Sequence, residues 1–180
     1  VDKRGGAYLG TFGFDRQAGE HPKPTTLVRV APNGEASIAA EDLWFPNGAV
    51  ITPDNSTLII AETRASRLTA FDILHNGELK NRRVFAETSN MYPDGICLDE
   101  EGAIWVADPK NKEVIRIKEG GEITDKLELE TRGAYACMLG GNDGKTLFVC
   151  TNTGSGPDIA NQRAGKIETT RVKIAKAGRP

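Results

Sequence analysis

No run of about 18 apolar residues, the minimum for a membrane-spanning helix, occurs anywhere in the 180-residue sequence. The first residues lack the basic-then-apolar pattern of a secretory signal. Basic residues form no block and no stripe interleaved with aromatics. With 23 Lys and Arg against 25 Asp and Glu, this excludes a nucleic-acid binder. Only three cysteines are present, Cys97, Cys137 and Cys150, and none is paired in a C-x-x-C spacing. All three lie in apolar, strand-like segments, so the expectation is buried thiols in a reducing compartment such as the cytoplasm. The two histidines, His21 and His75, sit in polar, turn-like sequence and are expected to be exposed, which leaves no structural zinc site. Amphipathic helical periodicity longer than about two turns is also missing.

What is present is a period of two in short runs rich in Val, Ile, Leu, Thr and aromatics. Strands are expected at 7–12, 26–30, 36–40, 48–51, 57–61, 67–71, 82–86, 95–98, 103–107, 113–117, 123–128, 137–139, 146–150 and 166–173. Turn signals such as Pro32-Asn33-Gly34, Asn76-Gly77, Glu101-Gly102 and Asn142-Asp143-Gly144 separate them. The turns and strands repeat. NGAVITPDNSTLIIAE at 47–62 and DGICLDEEGAIWVAD at 94–108 share one layout. Leu58-Ile59-Ile60, Ile104-Trp105-Val106 and Leu147-Phe148-Val149 align at offsets of 46 and 43 residues. A period of about 40–50 residues with four strands each is that of a β-propeller blade. The expected fold is therefore all-β, a propeller of four-stranded antiparallel blades, two complete and two partial. Residues 1–180 form one partial propeller domain whose earlier blades lie outside the sequence.

Asn47 and Asp94 open the two copies, each after a proline and before a glycine. At the start of a blade's innermost strand, both side chains would point toward the central channel. An amide oxygen and a carboxylate there suit a hard cation such as Ca²⁺ or Mg²⁺, or an adaptable one such as Zn²⁺ or Mn²⁺. Pro-Asn-Gly and Pro-Asp-Gly are also favourable turns in their own right, and the residues alone leave both readings open.

FPNGAVITPDNSTLIIAET, RLTAFDI, NRRVFAET, PDGICLDEEGAIWVAD and CMLGGNDGKTLFVCT resemble the SMP-30/gluconolactonase/LRE family. The resemblance runs from GAYLGTFGFD to the closing Ala-Gly-Arg-Pro and matches roughly the C-terminal two-thirds of a family member. It implies part of a six-bladed propeller, about four blades of it here, and a metal-dependent lactonase. The family's metal is held by the Glu of a Glu-Gly-Pro motif, the Asn of a strand-leading Asn-Gly and the Asp of Pro-Asp-Gly. That carries over to Asn47 and Asp94. No Glu-Gly-Pro occurs in this sequence, and the family's Asn-Asp pair would fall just before Val1. Asp15, in GTFGFD, falls near the position of an acidic substrate-contacting residue.

The implied function is opening of a small, sugar-like lactone by metal-activated water, with Asp94 as ligand and general base. A separate chain supplying the missing blades would be a partner. The other class of reading is a non-catalytic propeller fragment or binding module. Trp105 and Trp44 are expected in the core, and Asp99 and Asp143 in hairpin turns. Glu62 and Asp108 end equivalent strands, with a substrate role open to them. Ser155 lacks a nucleophile elbow and a histidine partner, so serine hydrolysis is not expected. Asn152–Asp158 reads as a specificity loop. Arg171, Lys173, Lys176 and Arg179 read as a solvated strand and frayed end.

Overall fold

The computed structural model describes residues 1–15 and 18–178. Among them are fourteen strands and one short helix, α1 (Pro157–Ala160). The strands are β1 (Ala7–Leu9), β2 (Thr25–Val30), β3 (Ala36–Leu43), β4 (Pro46–Ile51), β5 (Thr57–Glu62), β6 (Arg67–Ile73), β7 (Leu79–Glu87), β8 (Ile96–Leu98), β9 (Ile104–Asp108), β10 (Glu113–Ile117), β11 (Ile123–Glu128), β12 (Gly133–Gly140), β13 (Thr146–Asn152) and β14 (Lys166–Arg171). They form four antiparallel meanders in chain order: β1–β3, β4–β7, β8–β11 and β12–β14. Two are four-stranded and two three-stranded, as the repeat requires.

The near-continuous apolar runs follow from coverage on both faces. In β5, Leu58 and Ile60 pack toward β1–β3, while Ile59 and Ala61 pack toward β8–β11. In β9, Ile104 and Val106 join that second layer, while Trp105 and Ala107 meet Ala134, Cys137, Leu139, Leu147 and Val149 of the last sheet. The terminal sheets have one covered face each. Leu9 and Ile38 are exposed at one end, and Met138, Phe148 and Ile167 at the other. This corrects the reading of Cys150: it is exposed, whereas Cys97 and Cys137 are buried. The period of two puts Cys150 beside Phe148 on the uncovered face.

The repeat extends into the turns. The buried Asp99 accepts the Glu101 and Ala103 N–H groups and pairs with the buried Arg116 Nε at 2.6 Å. Asp2 accepts the Arg4 and Gly6 N–H groups in the same way. The registers Tyr8↔Arg29 and Trp105↔Arg116 place Arg29 and Arg116 at one equivalent position.

The C-terminal segment is not frayed over its described length. Val172 and Lys176 N–H donate to Lys145 and Gly144 carbonyls, both at 3.0 Å, and Ala177 N–H donates to Leu98 O at 3.1 Å. Glu100 N–H donates to Ala175 O at 2.9 Å. Val172 and Ala177 pack against the core while Lys173 and Lys176 stay exposed. Arg179 and Pro180 lie outside the described residues. Truncation after Arg171 should lower stability by about 2 kcal/mol or more, since each net hydrogen bond contributes about 1 kcal/mol. An unchanged urea midpoint would show that the tail is free after all.

Candidate metal centre

Asn47 and Asp94 occupy the same place in successive sheets, and that place is a β-bulge. In β4 the register passes from Pro46↔Glu62 to Ala49↔Ile60, so Asn47 and Gly48 together oppose Ala61. Before β8, Asp94 N–H donates to Ala107 O at 2.9 Å and Ala107 N–H to Gly95 O at 3.0 Å, so two residues again share one partner. β12 repeats the irregularity at Tyr135, between Ala134↔Thr151 and Ala136↔Cys150. A bulge re-aims the side chain it carries, and here it does so three times in register.

The bulges also join the sheets. Gly48 N–H donates to Asp94 O, and Gly95 N–H to Tyr135 O, both at 3.0 Å. This contact is what requires a glycine at both positions. A Cβ on Gly48 would lie 2.4 Å from Asp94 O, and one on Gly95 would lie 2.6 Å from Ala136 Cα. What passes close is the next sheet's backbone.

The Asn47 amide is held by Thr63: Nδ2 donates to Thr63 Oγ1 at 3.2 Å, and Thr63 Oγ1 donates to Pro93 O at 2.6 Å. Burial pushes the Asp94 carboxyl up to about 6; the Asn47 amide draws it back and the charge of nearby Asp108 adds to the rise. Among the described residues, no lysine, arginine or histidine forms an ion pair with Asp94. Upstream, Phe45 takes φ +55°, a left-handed conformation that a bulky side chain enters only under constraint. Its ring meets Phe12 at 4.3 Å between centroids, which docks the GTFGFD loop two residues from Asn47. Asp15 is exposed in that loop, with Oδ1 accepting the Ala18 N–H.

Asn47 and Asp94 are thus brought together, with oxygen donors that fit a divalent cation in type. Among the described residues, no three His, Cys, Asp or Glu side chains converge on a point that could hold a metal ion. Glu62 and Asp108 are corrected to structural roles. Glu62 is fully buried and accepts from Trp44 N–H, Arg67, Thr69 and Arg82. Burial raises its carboxyl, but the bonds from Arg67, Thr69 and Trp44 outweigh this and hold it below the usual range. Asp108, also fully buried, accepts the Tyr92, Lys110 and Asn111 N–H groups. Trp44 is 37% exposed rather than core, because its backbone serves Glu62 and its ring faces outward.

Two residues escaped the sequence reading. Tyr135 holds the position of Asp94 one sheet on; the pairings Leu98↔Ile104 and Leu139↔Leu147 would have located it. It lines a cavity of about 470 Å³ with Thr151, Asn152, Gly154, Ser155 and Lys166, so the loop after β13 does border a recess. Thr63 offered no signal beyond following Glu62.

Residues 1–153 match the family model described as SMP-30/Gluconolactonase/LRE-like region. The chain belongs to this family. Among its curated relatives, a 6-deoxy-6-sulfogluconolactonase of Pseudomonas putida is 28% identical over 188 residues, covering 100% of this chain and 62% of that protein. Regucalcin of Oryctolagus cuniculus is 28% identical over 175 residues, covering 91% and 56%. A solved calcium-binding regucalcin from Agrobacterium tumefaciens superposes with a TM-score of 0.76 at 24% identity, over 99% of this chain and 60% of that one. The four meanders are blades of the SMP-30-type propeller, and the chain spans about three-fifths of the length of these relatives.

Proposed function

We propose that this chain carries the metal-facing half of a lactone-opening hydrolase, with Asn47 and Asp94 as two oxygen ligands of a divalent cation. The observation that carries the reading is the convergence, at matched bulges, of an amide and an acid-flanked, half-buried carboxylate that has no basic partner among the described residues. A cation bound there would supply Lewis acidity to a carbonyl oxygen and offset the negative charge that develops on it. Asn47 and Asp94 would hold it, the Asn47 amide being fixed by Thr63. The ionised Asp94 carboxylate would be the base that takes a proton from the attacking water. Ca²⁺ fits the donor chemistry and the names of the regucalcin relatives; Zn²⁺, Mn²⁺ and Mg²⁺ are the alternatives. A small sugar-type lactone is the substrate class, on the analogy of the Pseudomonas putida relative. Asp15, on the loop docked against Phe45, is the candidate substrate contact. The apolar end faces at Leu9 and Ile38, and at Met138, Phe148 and Ile167, would be covered by further blades, in this or another polypeptide. The buried thiols Cys97 and Cys137 fit a reducing compartment.

Metal analysis and a lactone-hydrolysis screen test the reading. EDTA should abolish turnover, and Asp94→Asn should lower it at least about 100-fold, the usual share of a general base. Unchanged hydrolysis by Asp94→Asn with cation still bound would remove the base role. The second reading, a non-catalytic propeller segment, is favoured by the lack of a third converging ligand among the described residues. It stands if neither cation binding nor hydrolysis is found with Ca²⁺, Zn²⁺ or Mn²⁺ supplied.

A further inference from the structure

A threonine hydroxyl has one hydrogen to give. Thr63 gives it to Pro93 O, at 2.6 Å. Toward Asn47, 3.2 Å away, the same oxygen can therefore only accept, and the Asn47 atom facing it must be the NH₂ group. The amide oxygen is left on the side away from Thr63. The geometry points to Thr63 as the positioning residue of the metal centre: by using its proton on Pro93 it orients the Asn47 amide so that oxygen, not nitrogen, is free for the cation held with Asp94. This rests on the metal reading above.

Three further observations carry it. Pro93 O belongs to the peptide that enters Asp94, so one hydroxyl touches the approaches to both ligands. Thr63 is itself fixed: it is buried, and its N–H donates to Phe45 O at 3.1 Å, two residues before Asn47. The arrangement is also not a general feature of the blade. The residue after Asp108, equivalent to Thr63, is Pro109, which has no hydroxyl. There the site position of the same sheet is filled by Asp94, whose two side-chain oxygens leave no amide to orient. The β-branch of threonine narrows χ1 and keeps the hydroxyl aimed.

The test is a double-mutant cycle read by calorimetric titration with Ca²⁺ and with Mn²⁺, supported by nuclear Overhauser contacts. Thr63→Val should weaken cation binding about 10–100-fold, the usual effect of losing a group that orients a ligand. Thr63→Ser keeps the hydroxyl and should restore binding to within about threefold. In an Asn47→Asp background both side-chain atoms are oxygens, so orientation no longer matters and Thr63→Val should add no further loss. A merely structural threonine would cost as much in that background as in wild type, and that result overturns the inference. So does wild-type-like binding by Thr63→Val, or a lack of contacts between the Asn47 NH₂ protons and the Thr63 side chain. Failure of the wild-type chain to bind either ion overturns the metal reading, and the inference with it.

Discussion

Gly95→Ala is expected to destabilise the protein by about 3 kcal/mol, at the upper end of the usual overpacking range. The added Cβ would sit 2.6 Å from Ala136 Cα and 2.9 Å from both Ala136 Cβ and Tyr135 O. These are backbone and near-backbone atoms, with no flexible side-chain end to swing aside. The only relief is separation of the inner strands β8 and β12, which lengthens the Gly95 N–H to Tyr135 O bond. Gly48→Ala should behave alike, with its Cβ 2.4 Å from Asp94 O and 2.7 Å from Ile96 N. Gly165→Ala is the control, since a Cβ there meets nothing within 4 Å. Urea denaturation of the three variants checks the ranking. A Gly95→Ala midpoint equal to that of the control would mean the sheets are less tightly joined than the structure has them. Because Asp94 O receives the Gly48 bond, cation binding should fall together with stability in the Gly48 variant.

The second large effect runs the other way. Asp94→Asn should stabilise the metal-free chain near neutral pH. The folded carboxyl titrates at about 6 against an ordinary 3.8, chiefly through burial, with Asp108 adding and the Asn47 amide subtracting. The folded state thus holds this proton more tightly than the unfolded chain. Stability from the group is present below pH 3.8 and is lost as pH rises through about 6. The full shift would be about 3 kcal/mol; because Asp94 is only half-buried, solvent screening reduces the expected gain for Asn to about 1–2 kcal/mol. The gain should appear at pH 7.5 and vanish at pH 3.5. Chemical denaturation at both values measures it; equal gains at both would place the effect elsewhere than on the charge. Cation affinity should follow the same group and drop about tenfold per unit once pH falls below about 6, because the ligand must be ionised.

Much of the fold is legible in residue patterns because its forces are local. LIIA in β5 and IWVA in β9 read as strands, and both are, with a sheet packed on either face. Outer strands are less legible. β7 spans Leu79–Glu87 although Lys80, Asn81 and Arg82 are exposed, since pairing with β6 and not burial holds it. Exposure at Cys150 and Phe148 depends on a neighbouring sheet and leaves no mark on their own strand. Asn47 and Asp94 were legible because the motif repeats with its register intact. Tyr135 was not: the bulge adds a residue, and Gly133-Ala134-Tyr135-Ala136 shares no motif with Pro-Asp-Gly. Glu62 and Asp108 look like site acids in sequence. Only the hydrogen bonds that saturate them show otherwise, and those come from residues 2–20 positions away.

The bonds that link one inner strand to the next are made by main-chain atoms. They ask nothing of the side chain at 47, 94 or 135, and an amide, a carboxylate and a phenol occupy those three places. Scaffold and chemistry are therefore separable at this rim. A single codon change can trade a carboxylate for an amide or an aromatic wall while the neighbouring glycine keeps the sheets in register. For evolution, or for a designer, this makes the rim a set of interchangeable sockets on a fixed frame.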